Sequence, residues 1–477
     1  MMLRTIFRLF LPTFLFLFVF RVSAQNGNTP DPLLTKDSLA QKRWVESVYS
    51  GFSLEEKLGQ LFMVDVFSNG SEAGIQKVRD LIKQNHIGGV IFSKGGPSRE
   101  ARITNEFQEI SKTPLLVGMD AEWGLAMRLD STFALPWNMT LGAIQNNKLI
   151  EEAGAAISRH TKRLGIHINF APVVDINTNP LNPIIGNRSF GENKINVTEK
   201  ALAFMRGMHR EGILSSAKHF PGHGDTDQDS HKTLPSVNFP KERIEGIELY
   251  PYRELIKDSL SSVMVAHLNV PALGTQEGRP TSLSKKVVTE MLRENLQFKG
   301  LIFTDALNMR GASNYDEPGE IDLAAFKAGN DILLISENVP KSIEKLKSAY
   351  LSGEITEDRL AHSVKKILKA KYKAGLNHYK PIEEHFLYEE LNSVRDDALY
   401  EKLMENAMTL IRNNKGMVPI KHLNKQRIAY VQLGDDDGTA FLQQLKKYTK
   451  VDHISAEKLP DLLYKLKDYN YVIVGFH

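Results

Sequence analysis

The chain contains no cysteine. That excludes disulfides, thiol nucleophiles, cysteine metal ligands and lipid attachment through cysteine, so the fold must rest on a hydrophobic core, which 477 residues can supply. Net charge is nearly absent as well: 60 basic residues stand against 57 acidic ones, +3 overall, so no polyanionic partner is indicated and nucleic acid is not an expected ligand. Long apolar runs are missing everywhere but the start. There Arg4 and Arg8 precede an apolar stretch over residues 9–20 that is too short for a comfortable membrane span, and Val22, Ser23 and Ala24 supply small residues before Gln25. Residues 1–24 read as a cleaved secretory signal. The mature protein is then periplasmic or extracellular with no stable membrane span. Arg21, close to the apolar run, keeps an uncleaved anchor open as the alternative.

What is present is an alternation. After a polar linker over residues 25–40 and a helical stretch over 42–59, in which Ser53 and Glu56 form a capping-box pattern, short apolar β-rich runs occur at 61–67, 87–93, 114–119, 166–175, 213–219, 262–267, 300–305 and 331–335. Segments of helical spacing lie between them, as at 74–84, 149–164, 197–212, 241–258 and 285–295. Nearly continuous apolar strands separated by helices indicate a parallel sheet covered on both faces, and eight such units predict an α/β fold of the (β/α)8 TIM-like barrel type rather than an open doubly wound sheet. The helix-rich stretch 340–374 should close the barrel. The expected domain plan is a barrel at 41–378, a linker at 379–395, and the start of an α/β-sandwich domain at 396–477. Its parts are a helix at 396–408, strands at 410–411, 427–433 and 471–474, and a helix at 439–448. This second domain is expected to be incomplete, since its last strand has no helix to cover it.

A barrel places its chemistry at the C-terminal ends of its strands, and Asp120, Asp175, Lys218, His219, His267 and Asp305 all fall there. The densest concentration is the segment 218–231, with Lys218, His219, His223, Asp225, Asp227, Asp229 and His231. Pro221, Gly222 and Gly224 keep it from being a helix. Ionisable groups crowded at a strand end perturb one another's pKa, which marks a candidate site. Asp305, ending an apolar strand, has its carboxylate at the barrel mouth, where it can act as a nucleophile. His231 is the candidate proton donor, because a histidine titrates near neutral pH and Asp229, two residues back, can orient its ring.

The segment 218–231, ending Asp229-Ser230-His231, resembles the signature of glycoside hydrolase family 3, and of its bacterial β-N-acetylglucosaminidase (β-N-acetylhexosaminidase) branch in particular. Supporting matches are Gly118-Met119-Asp120-Ala121-Glu122, Asn187-Arg188-Ser189-Phe190-Gly191 and Phe303-Thr304-Asp305-Ala306-Leu307-Asn308-Met309. The similarity spans about residues 45–375 and continues more weakly into the second unit. The resemblance implies a retaining glycosidase with Asp305 as nucleophile and an Asp229-His231 acid/base dyad where β-glucosidase relatives use a glutamate. It also implies that Asp120, Arg128, Arg188, Lys218 and His219 bind substrate. His267, Asp175 and Glu122 read as supporting residues at the same face. The chain departs from the usual family pattern in carrying Trp123 and in having Leu125 where an arginine is common. Trp123 can stack on a sugar or pack under the rim.

The reading that follows is hydrolysis of terminal β-linked N-acetylglucosamine, with peptidoglycan fragments (muropeptides) as a carbohydrate substrate class and no cofactor or metal. The alternatives are a β-glucosidase, a phosphorylase on the same fold, and an inactive exported glycan-binding protein. A metal hydrolase is a further class, since the motif is rich in possible ligands. Its Asp225, Asp227, Asp229 run, however, lacks the glycine and glutamate of a calcium loop, having Ser230 and Ser236 at those places.

Overall fold

A computed structural model of the chain describes residues 29–435 and 437–476. The expected signal segment and the first residues of the expected linker lie outside the described residues. Among the described residues no helix is long and apolar enough to cross a membrane.

The chain divides into two compact units between Met408 and Thr409. The first is the barrel. Its strands are β1 (Phe62–Phe67), β2 (Gly89–Lys94), β3 (Leu116–Met119), β4 (Ile168–Asn169), β5 (Leu214–Phe220), β6 (Ser262–Val265), β7 (Leu301–Thr304) and β8 (Leu333–Leu334). They form one parallel sheet in the order β7-β6-β5-β4-β3-β2-β1-β8, and a bridge from Phe303 to Ile332 brings the β7 and β8 ends together. All eight expected strands are present. They are short, and β2 to β7 are buried over most of their length, as expected of strands with helices on one side and a packed barrel interior on the other. Inside, Phe170 and Phe303 meet edge to face at 5.2 Å.

Four local expectations change. The stretch 42–59 is two helices, Ser38–Ser50 and Leu54–Gly59. Ser53 and Glu56 do form the capping box, and a capping residue has extended backbone, so the box itself breaks the helix. The stretch 241–258 is likewise two helices, Lys241–Gly246 and Tyr250–Lys257, with Pro251 in the first turn of the second. Only Ile168 and Asn169 of the run 166–175 join the sheet as β4; Pro172 has no N–H to give the ladder, and pairing resumes only as the single Val173–Lys218 bridge. No strand forms at 410–411, where both residues are exposed.

Both stretches that read as linkers are bonded to the barrel. Leu33 is fully buried and its carbonyl accepts from Gln41 at 2.8 Å. Asn105 Oδ1 accepts from Tyr379 Oη at 2.8 Å and from the Ile382 amide at 2.7 Å, while Leu387 and Leu391 are buried. The helix Val394–Ala407, expected to open the second domain, belongs to the first unit: Leu403 is in its core and Asp396 meets His160 at 3.1 Å. The second unit, 409–477, is a three-stranded parallel sheet of β9 (Ile428–Leu433), β10 (Val451–His453) and β11 (Tyr471–Phe476) in the order β10-β9-β11, around Ile428, Tyr430 and Val451. Its helices are Thr439–Lys446 and Leu459–Leu466.

Candidate active site

At the C-terminal ends of the strands a cavity of about 200 Å³ opens, lined by Asp120, Arg128, Arg188, Lys218, His219, His231 and Asp305 among others. Seven of the eight sequence-selected site residues are thus brought together from β3, β5, β7 and three loops. The eighth, Asp229, stands behind His231, with Oδ1 2.7 Å from His231 Nδ1 and accepting the His231 amide at 2.9 Å.

One wall is a network of opposite charges. Lys218, on β5 and 2% exposed, sends Nζ to Asp120 Oδ1 at 2.6 Å and to Glu122 Oε1 at 2.7 Å, both just beyond β3. Arg128, directly after the short 3-10 turn Leu125–Met127, donates to Asp120 Oδ2 at 2.5 Å. Arg188, in the turn Gly186–Arg188, grips Glu122 twice, at 3.0 and 2.7 Å, and donates to the Ile184 carbonyl. Burial raises the pKa of both carboxyls, but the cations outweigh it: Lys218 and Arg128 hold Asp120 well below the usual range, and Arg188 and Lys218 bring Glu122 down to about 2. The network stays ionised and its cations point along the wall, where they can bond sugar hydroxyls.

Asp175 organises the next part. Its carboxylate accepts from His219 Nδ1 at 2.7 Å, from the His219 amide, and from the His223 amide at 2.7 Å. Burial pushes this carboxyl up, while His219 and His223 together hold it below its usual value. On the other side of the ring, His219 Nε2 lies 3.4 Å from Arg188 Nη2. The loop after β5 turns tightly because Gly222 has φ +139° and a Cβ there would meet the Glu248 side chain at 2.7 Å; at Gly224 a Cβ would meet the Ile176 carbonyl at 2.0 Å.

Asp305 follows β7, its amide bonded to the Val265 carbonyl at 2.9 Å and its Oδ1 accepting the Ala306 amide at 2.8 Å. Burial raises its pKa, yet the nearby His219 and His267 rings, the Ala306 N–H and His231 more than compensate, so the carboxyl lies below its ordinary value and is ionised at neutral pH. His267 is fully buried and bonded to Ser282 Oγ at 2.7 Å and the Ala306 carbonyl at 3.0 Å, which makes it a support for the Asp305 turn.

Several outcomes were not legible in the sequence. Glu122 proves to be the hub of the cationic wall. His223, Ser230, Asn308 and Met309 also line the cavity; all four lie inside the motif segments, and only the folded loops show which of their residues face inward. Trp123 stacks on Trp137, ring centroids 4.0 Å apart, and is absent from the cavity lining. Leu125 is fully buried, so this position feeds the core. Among the described residues no three histidine, aspartate or glutamate side chains are grouped to hold a metal ion, and each of the three histidine rings of the motif is bonded to a protein partner.

This arrangement has known counterparts. The glycosyl hydrolase family 3 N-terminal domain model matches residues 53–370. Beta-hexosaminidase A of Pseudoalteromonas piscicida is 31% identical over 406 residues, covering 78% of this chain and 67% of that protein. The solved structure of a glycoside hydrolase family 3 beta-N-acetylglucosaminidase from a Paenibacillus species matches with a TM-score of 0.73 at 30% identity, over 89% of this chain and 84% of that one. A beta-glucoside phosphorylase structure, at 24% identity, shares the fold with a TM-score of 0.79 over 94% of this chain and 83% of its own. With two thirds of its length inside the family's domain and the strand-end residues gathered at one cavity, the chain belongs to glycosyl hydrolase family 3 and is β-hexosaminidase-like.

Proposed function

We propose that the protein is a retaining β-N-acetylglucosaminidase acting on terminal β-linked N-acetylglucosamine. The observation that carries this reading is that an ionised Asp305 and a histidine oriented by Asp229 open onto the same cavity. In the first step the Asp305 carboxylate attacks the anomeric carbon. The bond to the leaving oxygen breaks, and that oxygen takes a proton from His231 Nε2, the ring nitrogen that Asp229 leaves free. The product is a glycosyl ester on Asp305 and a neutral imidazole. In the second step the same Nε2 removes a proton from water as its oxygen attacks the anomeric carbon, the ester bond breaks, and both carboxylate and imidazolium are restored. Asp229 remains ionised throughout: burial raises its pKa, and the bonds to the His231 amide and ring lower it further than that. In this reading Asp120, Arg128, Arg188, Lys218 and His219 hold the sugar's hydroxyl and acetamido groups, supported by their place in the cavity lining.

The N-acetyl sugar is supported by the names of the similar proteins and by the Asp229-Ser230-His231 ending of the loop. Export through residues 1–24 and peptidoglycan fragments as the natural substrate belong to the same reading. The test is hydrolysis of paired aryl β-glycosides, N-acetylglucosaminide against glucoside, by the wild type and its Asp305→Ala and His231→Ala variants. Turnover of the N-acetyl substrate alone, lost in both variants, is the expected result; preference for the glucoside overturns the sugar assignment. Release of N-acetylglucosamine from purified muropeptides, and an exported protein whose mass begins at Gln25, check the remaining parts.

A second reading, phosphorolysis, is favoured by the imidazole itself, which does not repel an approaching phosphate as a carboxylate does. A sugar 1-phosphate formed in phosphate buffer identifies it.

A further inference from the structure

Ser230 lies between the two members of the dyad and is held from both sides. Its hydroxyl is 3.1 Å from His223 Nε2, and its carbonyl accepts the Gly311 amide at 3.2 Å, six residues beyond Asp305. Thr226 Oγ1 lies 2.6 Å from His223 Nδ1 and 3.1 Å from the His223 carbonyl, so the ring is bonded at both nitrogens. Burial lowers the pKa of His223 to about 4, so the ring is neutral near pH 7. The Ser230 hydroxyl, which can donate or accept, bonds Nε2 in either tautomer.

His223 is itself anchored: its amide is bonded to Asp175 at 2.7 Å and its carbonyl also takes Asn182 Nδ2 at 2.8 Å. The hydrogen bonds of Asp229 and His231, by contrast, run to His231, Lys232 and Thr233 of the same loop. The dyad is oriented internally, and its place at the cavity is set through the residue between its members. We infer that Ser230 is the positioning residue of the acid/base dyad, tying His231 to His223 on one side and to the turn after the nucleophile on the other. The inference rests on the assignment of His231 as acid/base and Asp305 as nucleophile.

Proton delivery requires hydrogen-bond reach, whereas departure of an activated phenolate requires no acid. Loss of the Ser230 hydroxyl should therefore act selectively. The experiment compares kcat/KM, which reports the first chemical step, for 2,4-dinitrophenyl and methyl β-N-acetylglucosaminides in the wild type, Ser230→Ala, Ser230→Thr and His231→Ala. The expected result is a loss in Ser230→Ala that is about tenfold to a hundredfold larger for the methyl glycoside, with the threonine variant recovering most of it. Hydrogen–deuterium exchange over residues 225–233 should quicken in Ser230→Ala at an unchanged melting temperature. Equal losses on both substrates with unchanged exchange would overturn the positioning role while leaving the dyad intact. A His231→Ala variant with no leaving-group dependence would instead sink the acid/base assignment, and the positioning role with it.

Discussion

Arg188 and Glu122 meet in a two-point ion pair, Nε to Oε2 at 3.0 Å and Nη2 to Oε1 at 2.7 Å, with the glutamate side chain fully buried. The same Glu122 oxygen that receives Arg188 Nη2 also receives Lys218. A residue that the sequence presents as a support at the strand-end face is the counter-charge for two cations of the cavity wall.

Removing that charge should be costly. Glu122→Gln leaves the buried Lys218 and the half-buried Arg188 short of a partner, and breaking one side of a buried ion pair destabilises by about 3–5 kcal/mol. Denaturant unfolding should show a loss of that size. kcat/KM should fall at least roughly tenfold, because a wall that relaxes by an ångström loses its grip on the sugar. A stability within experimental error of wild type would show that Lys218 and Arg188 are held by something else.

Asp305→Ala removes the group that forms the covalent intermediate. Loss of a nucleophile in an enzyme whose groups act as a unit is expected to cost on the order of 10³-fold or more in kcat. Rapidly quenched wild-type enzyme should carry the mass of one N-acetylglucosaminyl residue, and the variant should not. An alanine variant with substantial turnover would move the nucleophile elsewhere.

For His231→Ala the loss should depend on what leaves. Glycosides with poor leaving groups should lose about 10²–10⁴-fold in kcat/KM. Turnover of a dinitrophenyl glycoside, limited in the variant by attack of water on the ester, should rise with added azide and yield the β-glycosyl azide. Azide needs no proton removed, so it bypasses the missing base. Failure of azide to accelerate any substrate would argue that His231 does not activate the water.

The acid side of the stability profile follows from the depressed carboxyls. Glu122 titrates near 2 folded against about 4.5 in the unfolded chain. A group with a lowered folded pKa contributes stability that is fully present above its unfolded value and is lost as pH falls through the folded one. Between about pH 4.5 and 2 the protein should therefore lose stability, on the order of 3 kcal/mol from Glu122 alone, with Asp120 and Asp175 acting in the same direction. Chemical denaturation at stepped pH measures this, and Glu122→Gln should flatten the slope. A wild-type profile already flat over that interval would contradict the pairing.

The eight strands, their order along the chain and the position of Asp120 and Asp305 directly after β3 and β7 were all legible, because a buried parallel strand requires a short apolar run and the residue after it is the first that can be polar; Lys218 and His219 lie within the last residues of β5. Less legible were the places where two local rules compete. The capping box at Ser53 and the helical period across 42–59 were both visible, and the box prevailed because a capping residue cannot itself be helical. The helix Val394–Ala407 looked like the start of a new domain since only its packing on His160 and the core around Leu403 assigns it to the barrel.

By itself the sequence determined the eight barrel strands and seven of the side chains with chemistry that reach the barrel mouth, for these depend on local periodicity and on the turn residues that end each run. The tertiary structure alone decided the partners: Glu122 with Arg188, Asp175 with His219 and the His223 amide, Ser230 with His223, Trp123 with Trp137 rather than the cavity. Partners separated by up to 66 residues are chosen by distance and burial once the barrel has closed, and in a largely buried wall it is the partner that decides whether a carboxyl is charged and which way a ring faces.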